Sequence, residues 1–355
     1  MKNEQKIMKK ASSPSGPTGE GASEVGVLLI FFNRPDRFRE VFEEVRKARP
    51  DRLFLYQDGP RGEHDMEGIK ACREIAEQID WPCHVERFYQ EHNVGCDPSE
   101  FIAQKWAFSF VDRCIVLEDD DVPTQSFFRF CQELLDRYAD DERITMIAGF
   151  NSDEVTPDAD ADYFLTSVFS IWGWASWRRV IDQWDEHYTW LDDPEKVSHI
   201  ERLMASGTLR RDFLRMCRDH CASGKAYYET IFWSHMILSG GLAIMPAKNQ
   251  INNRGLSDDS THYSGSLATT PRRLRRQFTM QRHELTFPLR HPVELTENEA
   301  FRKRVYLRNA WNNPWRKVQY SVEELWLNLI HGNFAAIGKA IGKRFAKWTG
   351  KNKHQ

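Results

Sequence analysis

The chain has 355 residues, enough for one large α/β domain with extensions. A net charge of −3 gives no global case for nucleic-acid binding, and no run of about 18 apolar residues exists to span a membrane. The 7 cysteines are scattered without a Cys-x-x-Cys pair, so they suggest no zinc site and read as reduced thiols of a cytoplasmic protein.

Residues 1–24 have no apolar signal-peptide core; a basic start and a Ser-, Gly- and Pro-rich remainder read as a disordered arm. Val25 to Phe32 is a continuous apolar run, as a central parallel strand requires, and Asn33-Arg34-Pro35-Asp36 breaks it. Arg37 to Ala48 has helical spacing through Phe38, Val41, Phe42 and Val45. Arg52 to Tyr56 reads as a strand closed by the turn Gln57-Asp58-Gly59-Pro60. Met66 to Ile79 reads as a helix, His84 to Phe88 as a strand, Asn93-Val94-Gly95 as a loop, and Pro98 to Phe110 as a helix. Cys114 to Leu117 is a fourth strand. The alternation predicts a mostly parallel, doubly wound α/β sheet. No Gly-x-Gly-x-x-Gly follows the first strand and no Gly-Lys-Ser/Thr loop occurs, so both common phosphate-loop fingerprints are absent.

That fourth strand ends in four consecutive acids, Glu118-Asp119-Asp120-Asp121, then Val122-Pro123. Ligands of open α/β sheets bind at the carboxyl ends of strands. Packed carboxylates repel one another unless a cation or a donor-rich ligand neutralises them. Oxygen-only donors favour Mg²⁺ or Mn²⁺, ions that accompany phosphates. The competing reading is a solvated acidic loop.

Ser126 to Tyr138 reads as a helix with Ser126 as its N-cap, and Ile144 to Ala148 as a strand. Phe169 to Trp177 is an aromatic segment. Glu229 to Leu238 reads as a helix ended by Gly240-Gly241, Leu242 to Met245 as a strand, and Asn249 to His262 as a polar loop. Beyond about Thr270 the chain turns basic and helical. Phe334, Ile337, Ile341, Phe345 and Trp348 share one helical face, with Lys339, Lys343, Arg344 and Lys347 on the rest. A basic amphipathic helix near 333–350 suits an anionic membrane surface; packing on its own domain is the alternative. Arg272, Arg273, Arg275 and Arg276 extend the same basic character. The organisation expected is an arm (1–24), a catalytic domain (25–270, with a nucleotide half 25–121 and an acceptor half 122–270) and a basic extension (271–355).

Phe32-Asn33-Arg34-Pro35, Leu117-Glu118-Asp119-Asp120, Trp172-Gly173-Trp174 and Glu229 through Pro246 together resemble GT-A-type glycosyltransferases. They are similar to bacterial family-2-like transferases of surface polysaccharides and to the N-acetylglucosaminyltransferase I type. The resemblance spans about Val25 to Tyr263. It implies a metal-dependent, inverting hexosyl transfer from a nucleotide-sugar, a UDP-sugar by preference, to a cell-surface glycan or lipid-linked acceptor. It maps a Mn²⁺ (or Mg²⁺) ligand to Asp120, with His262 as a late second ligand. Asp121 leaves the register open, because Asp119 and Asp121 also form an Asp-x-Asp. Ribose contacts map to Glu118 and Asp119. Phe32, Asn33 and Arg34 border nucleobase and diphosphate, Asp58 accepts a base ring N–H, and Asn93 and Gly95 flank the donor. Asp58 reads equally as a plain Asp-Gly turn, and Gly95 as a positive-φ position.

Glu229 lies roughly eleven residues before Gly240, where the family places the base that deprotonates the acceptor hydroxyl. Family members usually carry Glu-Asp there, whereas this chain has Tyr228-Glu229; the alternative is a first-turn Glu favoured by the helix dipole. Trp172, Gly173 and Trp174 wall the acceptor pocket, or are a buried aromatic strand. The expected location is cytoplasmic, peripheral on the inner face of the plasma membrane. Rival functions are a sugar-nucleotide pyrophosphorylase, which would need a Gly-rich, Lys-bearing loop after the first strand, and a non-catalytic sugar-binding or membrane-surface scaffold. A glycoside hydrolase is disfavoured, since four acids at one strand tip do not flank a bond from two sides.

Overall fold

The computed structural model describes residues 25–204, 206–256, 267–311, 313–334 and 337–338. The expected arm 1–24, His262 and most of the basic helix expected near 333–350 lie outside the described residues.

Strand β1 (Val25–Phe31) is buried along its length, which explains its unbroken apolar sequence. It lies between β2 (Arg52–Gln57) and β4 (Arg113–Glu118), parallel to both, and β3 (His84–Tyr89) extends the parallel set beyond β2. The full sheet has eight strands in the order β3-β2-β1-β4-β8-β6-β9-β7. The remaining strands are β6 (Ile144–Ala148), β7 (Tyr163–Thr166), β8 (Trp174–Trp177) and β9 (Leu242–Pro246). Only β8 and β7 run antiparallel to their neighbours, so the sheet is mixed but mostly parallel, as the sequence alternation predicts.

Helices cover both faces. In α1 (Pro35–Ala48) Pro35 starts the helix, where its missing N–H costs nothing, and Phe38, Val41, Phe42 and Val45 are buried. Each of those side chains contributes about 2 kcal/mol by leaving water. Helix α2 (Met66–Ala76) ends three residues earlier than its apolar spacing suggests. Helix α3 (Cys96–Phe108) connects β3 to β4. In α4 (Gln125–Arg137) the cap is Thr124, which accepts from Phe127 N, and not Ser126. Ser126 lies one residue inside the helix and donates to Gln250 at 2.8 Å.

Between β8 and β9 come α5 (Arg178–Ile181), α6 (Pro194–Leu203), α7 (Gly207–Ser223) and α8 (Tyr228–Ser239). The helical C-terminal stretch holds α9 (Arg272–Thr279), α10 (Glu299–Arg308) and α11 (Pro314–Ile330). No helix among the described residues is long and apolar enough to cross a membrane.

Besides β7, two short strands escape sequence reading. Asp121 does not end a loop of acids; it opens β5 (Asp121–Pro123), which pairs antiparallel with β10 (Ile251–Asn253) inside the expected polar loop. None of the seven cysteines is paired in a disulfide.

Candidate active site at the strand ends

Strand register gathers the site. Ile30 stands beside Glu118, Phe31 beside Gln57, and Gln57 beside Tyr89. The segments that follow β1, β2, β3 and β4 therefore emerge on one edge of the sheet. Strands β2 and β3 extend to one side of β1 and β4 lies on the other, so the chain switches direction between β1 and β4. That crevice is where open α/β sheets bind ligands. Phe32 to Arg34, Asp58, Asn93 to Gly95 and Glu118 to Asp121 all meet along this edge.

The acids are not solvated. Asp119, Asp120 and Asp121 are all buried. Arg34 grips Asp119 through Nε and Nη2, and Nη2 also lies 2.9 Å from Asp120. Burial would lower the Arg34 guanidinium, but Asp119 and then Asp120 hold its pKa well above the ordinary arginine value. Asn253 stands opposite Asp121 in the β5–β10 pairing, and its Nδ2 donates to Asp120 and Asp121 at 3.0 Å each. The Gly173 N–H donates to the other Asp121 oxygen at 2.8 Å. Gly173 has φ +61°, and a Cβ there would meet Ile251 at 2.6 Å, so this donor position favours glycine.

Behind the run lies a carboxylate that sequence reading missed. Glu100 on α3 is buried, and burial, followed by the charge of Glu229, pushes its pKa well up. Glu118 is raised by burial and then by Glu100; Asp121 is raised by burial and then by Asp120. Glu229, half-buried in the first turn of α8, is thereby joined electrostatically to the strand-end acids, and α3 packs against α8. Buried Tyr228 sits in the same field, its hydroxyl raised by burial and then by Glu100, Glu118 and Glu229.

Asp58, Asn93 and Gly95 fall into one hydrogen-bonded unit. Asp58 accepts from Gly59 N (2.8 Å), Val94 N (2.9 Å), Gly95 N (3.1 Å) and Asn93 Nδ2 (2.7 Å). Its carboxylate thus pins the Asn93–Gly95 loop, where Gly95 has φ +95°. Asn33 donates to Asp65 at 2.6 Å, and Arg61 stacks over Phe32 at 5.0 Å. On the other side, Trp172 packs against Phe150 and Phe278, with ring centroids 4.5 and 5.3 Å away. Trp174 is fully buried in β8 and stacks on Phe232, so its ring belongs to the core.

Among the described residues no three His, Cys, Asp or Glu side chains converge to hold a metal ion. Oxygens of Asp120 and Asp121 are turned to Arg34, Asn253 and Gly173, and His262 lies outside the described residues. The described acids alone do not make a metal centre.

Two signals for the missed residues were present. Glu100 lies in helical register with buried Ala103, Gln104, Ala107 and Phe108, a charge on an inward face. Asn253 follows Ile251 at the two-residue spacing of a strand.

No protein-family model matches the chain, and no curated protein matches it. Among solved structures it is similar to a mannosyltransferase from Pyrobaculum calidifontis in complex with GDP-Man and Mn²⁺. That likeness has 13% identity, covers 66% of this chain and 75% of the other, and has a TM-score of 0.35. A likeness so remote carries no argument about substrate or mechanism.

Proposed function

We propose that the chain is a glycosyltransferase that moves a hexosyl group from a nucleoside-diphosphate sugar, a UDP-sugar by preference, to a glycan or lipid-linked acceptor with inversion. The observation that carries this reading is the run of half-buried Glu118 and buried Asp119, Asp120 and Asp121, clamped by Arg34 and Asn253 at the switch point of the sheet and joined through Glu100 to Glu229. The sequence resemblance points the same way.

In this reading Phe32 and Asn33 border the base, Asp58 fixes the Asn93–Gly95 loop beside it, and Glu118 and Asp119 address the ribose. Arg34 places a permanent cation where the diphosphate gathers negative charge as the glycosidic bond breaks. Glu229 accepts the acceptor hydroxyl proton during direct displacement at the anomeric carbon. Trp172 offers a ring face to the acceptor sugar, while buried Gly173, whose N–H holds Asp121, and Trp174 support it from behind. A Mn²⁺ or Mg²⁺ ion at Asp120 and Asp121, completed by His262, would act as a Lewis acid on the departing diphosphate. The basic helix near 333–350 would hold the enzyme on an anionic membrane face.

The test is a thermal-shift panel of nucleoside diphosphates and their sugars, each with and without Mn²⁺. A rise in Tm with one nucleotide class, enhanced by Mn²⁺ and absent in Asp120→Ala, supports the reading. No shift with any nucleotide at intact fold overturns it.

A further inference from the structure

Helix α9 carries Arg272, Arg273, Arg275 and Arg276 in little more than one turn. With Thr279 they line a groove of about 590 Å³. A second hollow of about 290 Å³ continues from it, sharing Arg273 and Arg276 and adding Arg304 and Arg308 of α10 and Arg316 of α11. No acid lines either hollow among the described residues.

Of the nearby carboxylates, Glu323 of α11 accepts from the Arg272 backbone N–H at 2.9 Å, and Asp153 and Asp158 serve α10. Asp153 pairs with Arg304 at 2.7 Å and with Arg308, and Asp158 pairs with Arg304 at 2.6 Å. On α9 the side-chain partners are neutral. Arg273 donates to Tyr320 Oη at 2.7 Å, and Arg276 to the backbone carbonyl of Asp153 at 3.4 Å. The side chains of Arg272 and Arg275 form no ion pair among the described residues. Crowding is felt at Arg308, whose pKa falls through burial first, with Arg276 and Arg304 adding to the fall. Like charges gathered around a concavity favour a bound anion, and guanidinium forks match phosphate oxygens in pairs.

The groove adjoins the acceptor side of the site. Phe278, on the same helix, packs on Trp172 with centroids 5.3 Å apart. Met280, just past the helix, accepts from Asn252 at 2.7 Å, beside the Asn253 that holds Asp120 and Asp121. Asp58 and the Asn93–Gly95 loop, by contrast, stand with the donor-side segments.

We propose that this groove binds a phosphate or diphosphate group carried by the acceptor, held in bidentate contacts by the α9 arginines beside Trp172. The assignment of that phosphate to the acceptor rests on the transferase reading; the anion site itself does not. The same phosphate chemistry could come from phospholipid headgroups, and the experiment separates the two sources.

Inorganic pyrophosphate is titrated calorimetrically into the full chain without donor, comparing the wild type with Arg272→Gln/Arg275→Gln. Two lost charge-assisted contacts weaken binding by about 10-fold or more, while Arg143→Gln, an exposed arginine paired with Asp141 and outside both hollows, binds as the wild type does. Absence of wild-type binding, equal binding by the arginine variant, or an equal loss in Arg143→Gln, overturns the groove. Should the double variant melt early, Arg275→Gln alone carries the comparison. In a second arm the protein is floated with phosphatidylcholine vesicles with and without phosphatidylglycerol. Glycerol-lipid binding that the arginine variant loses transfers the phosphate to the headgroups and overturns the acceptor assignment. Pyrophosphate binding without vesicle binding supports it.

Discussion

Arg34 closes on Asp119 with two nitrogens of one guanidinium, Nε standing 3.2 Å from Oδ2. The same group lies 2.9 Å from Asp120, so a single side chain neutralises two of the four strand-end acids. Removing it leaves a buried carboxylate uncompensated. Arg34→Gln therefore lowers stability by about 2 kcal/mol, less than for a fully buried pair because the arginine keeps some solvent contact. Urea denaturation of Arg34→Gln, Asp119→Asn and the double variant checks this. The double variant loses less than the sum of the singles; strict additivity would mean that the pair is not coupled.

The Gly173 N–H holds Asp121 only because a glycine can turn there at φ +61° without a side chain striking Ile251. Gly173→Ala costs about 1 kcal/mol for the left-handed backbone and about 1–3 kcal/mol for the clash. A fall of about 2–4 kcal/mol by denaturant titration is expected. Gly207→Ala in α7, where a new Cβ meets nothing closer than the far end of Arg210 at 3.6 Å, is the contrasting control and stays close to wild type.

His235 on α8 supplies a pH dependence outside the acid cluster. Burial lowers its pKa from 6.5 to about 4. The unfolded chain therefore binds a proton that the native chain refuses between those values. Stability from this group is complete above about 6.5 and falls as pH drops toward about 4. Melting temperatures across that window fall more steeply for the wild type than for His235→Gln. Parallel curves would show that His235 titrates alike in both states.

The parallel half of the fold was legible because buried strands leave apolar runs and half-buried helices leave a regular face. Strands β1 to β4 and helices α1 to α3 follow from those two patterns, with ends displaced by a few residues. Strands β5 and β10 were not legible. Each is three residues long, one is drawn from an acidic run and one from a polar loop, and each is specified by a partner far away in sequence. Strand β8 hid in Trp174–Trp177, which reads as aromatic pocket or core until Phe232 is seen to lie against it. The acids at the strand end were visible, but their partners were not. Arg34 reaches Asp119 through tertiary packing, and Glu100 meets the cluster only because α3 packs its inward face there.

Glu100 and Glu229 share one electrostatic field but differ in burial. Burial first, and then the Glu229 charge, pushes Glu100 well up, which favours its protonated form. A glutamine copies that form closely. Glu100→Gln should keep its melting temperature and its nucleotide binding, whereas a loss of about 2 kcal/mol or more would show that the ionised form is needed. Glu229 is only half-buried in the first turn of α8, which leaves it part-exposed to solvent. If it removes the acceptor proton, Glu229→Gln lowers the transfer rate by about 10²–10⁴-fold and leaves nucleotide affinity unchanged. Single-turnover transfer and nucleotide titration on both variants decide between the roles. Full transfer by Glu229→Gln would remove Glu229 as the base and leave it as a helix-terminus acid.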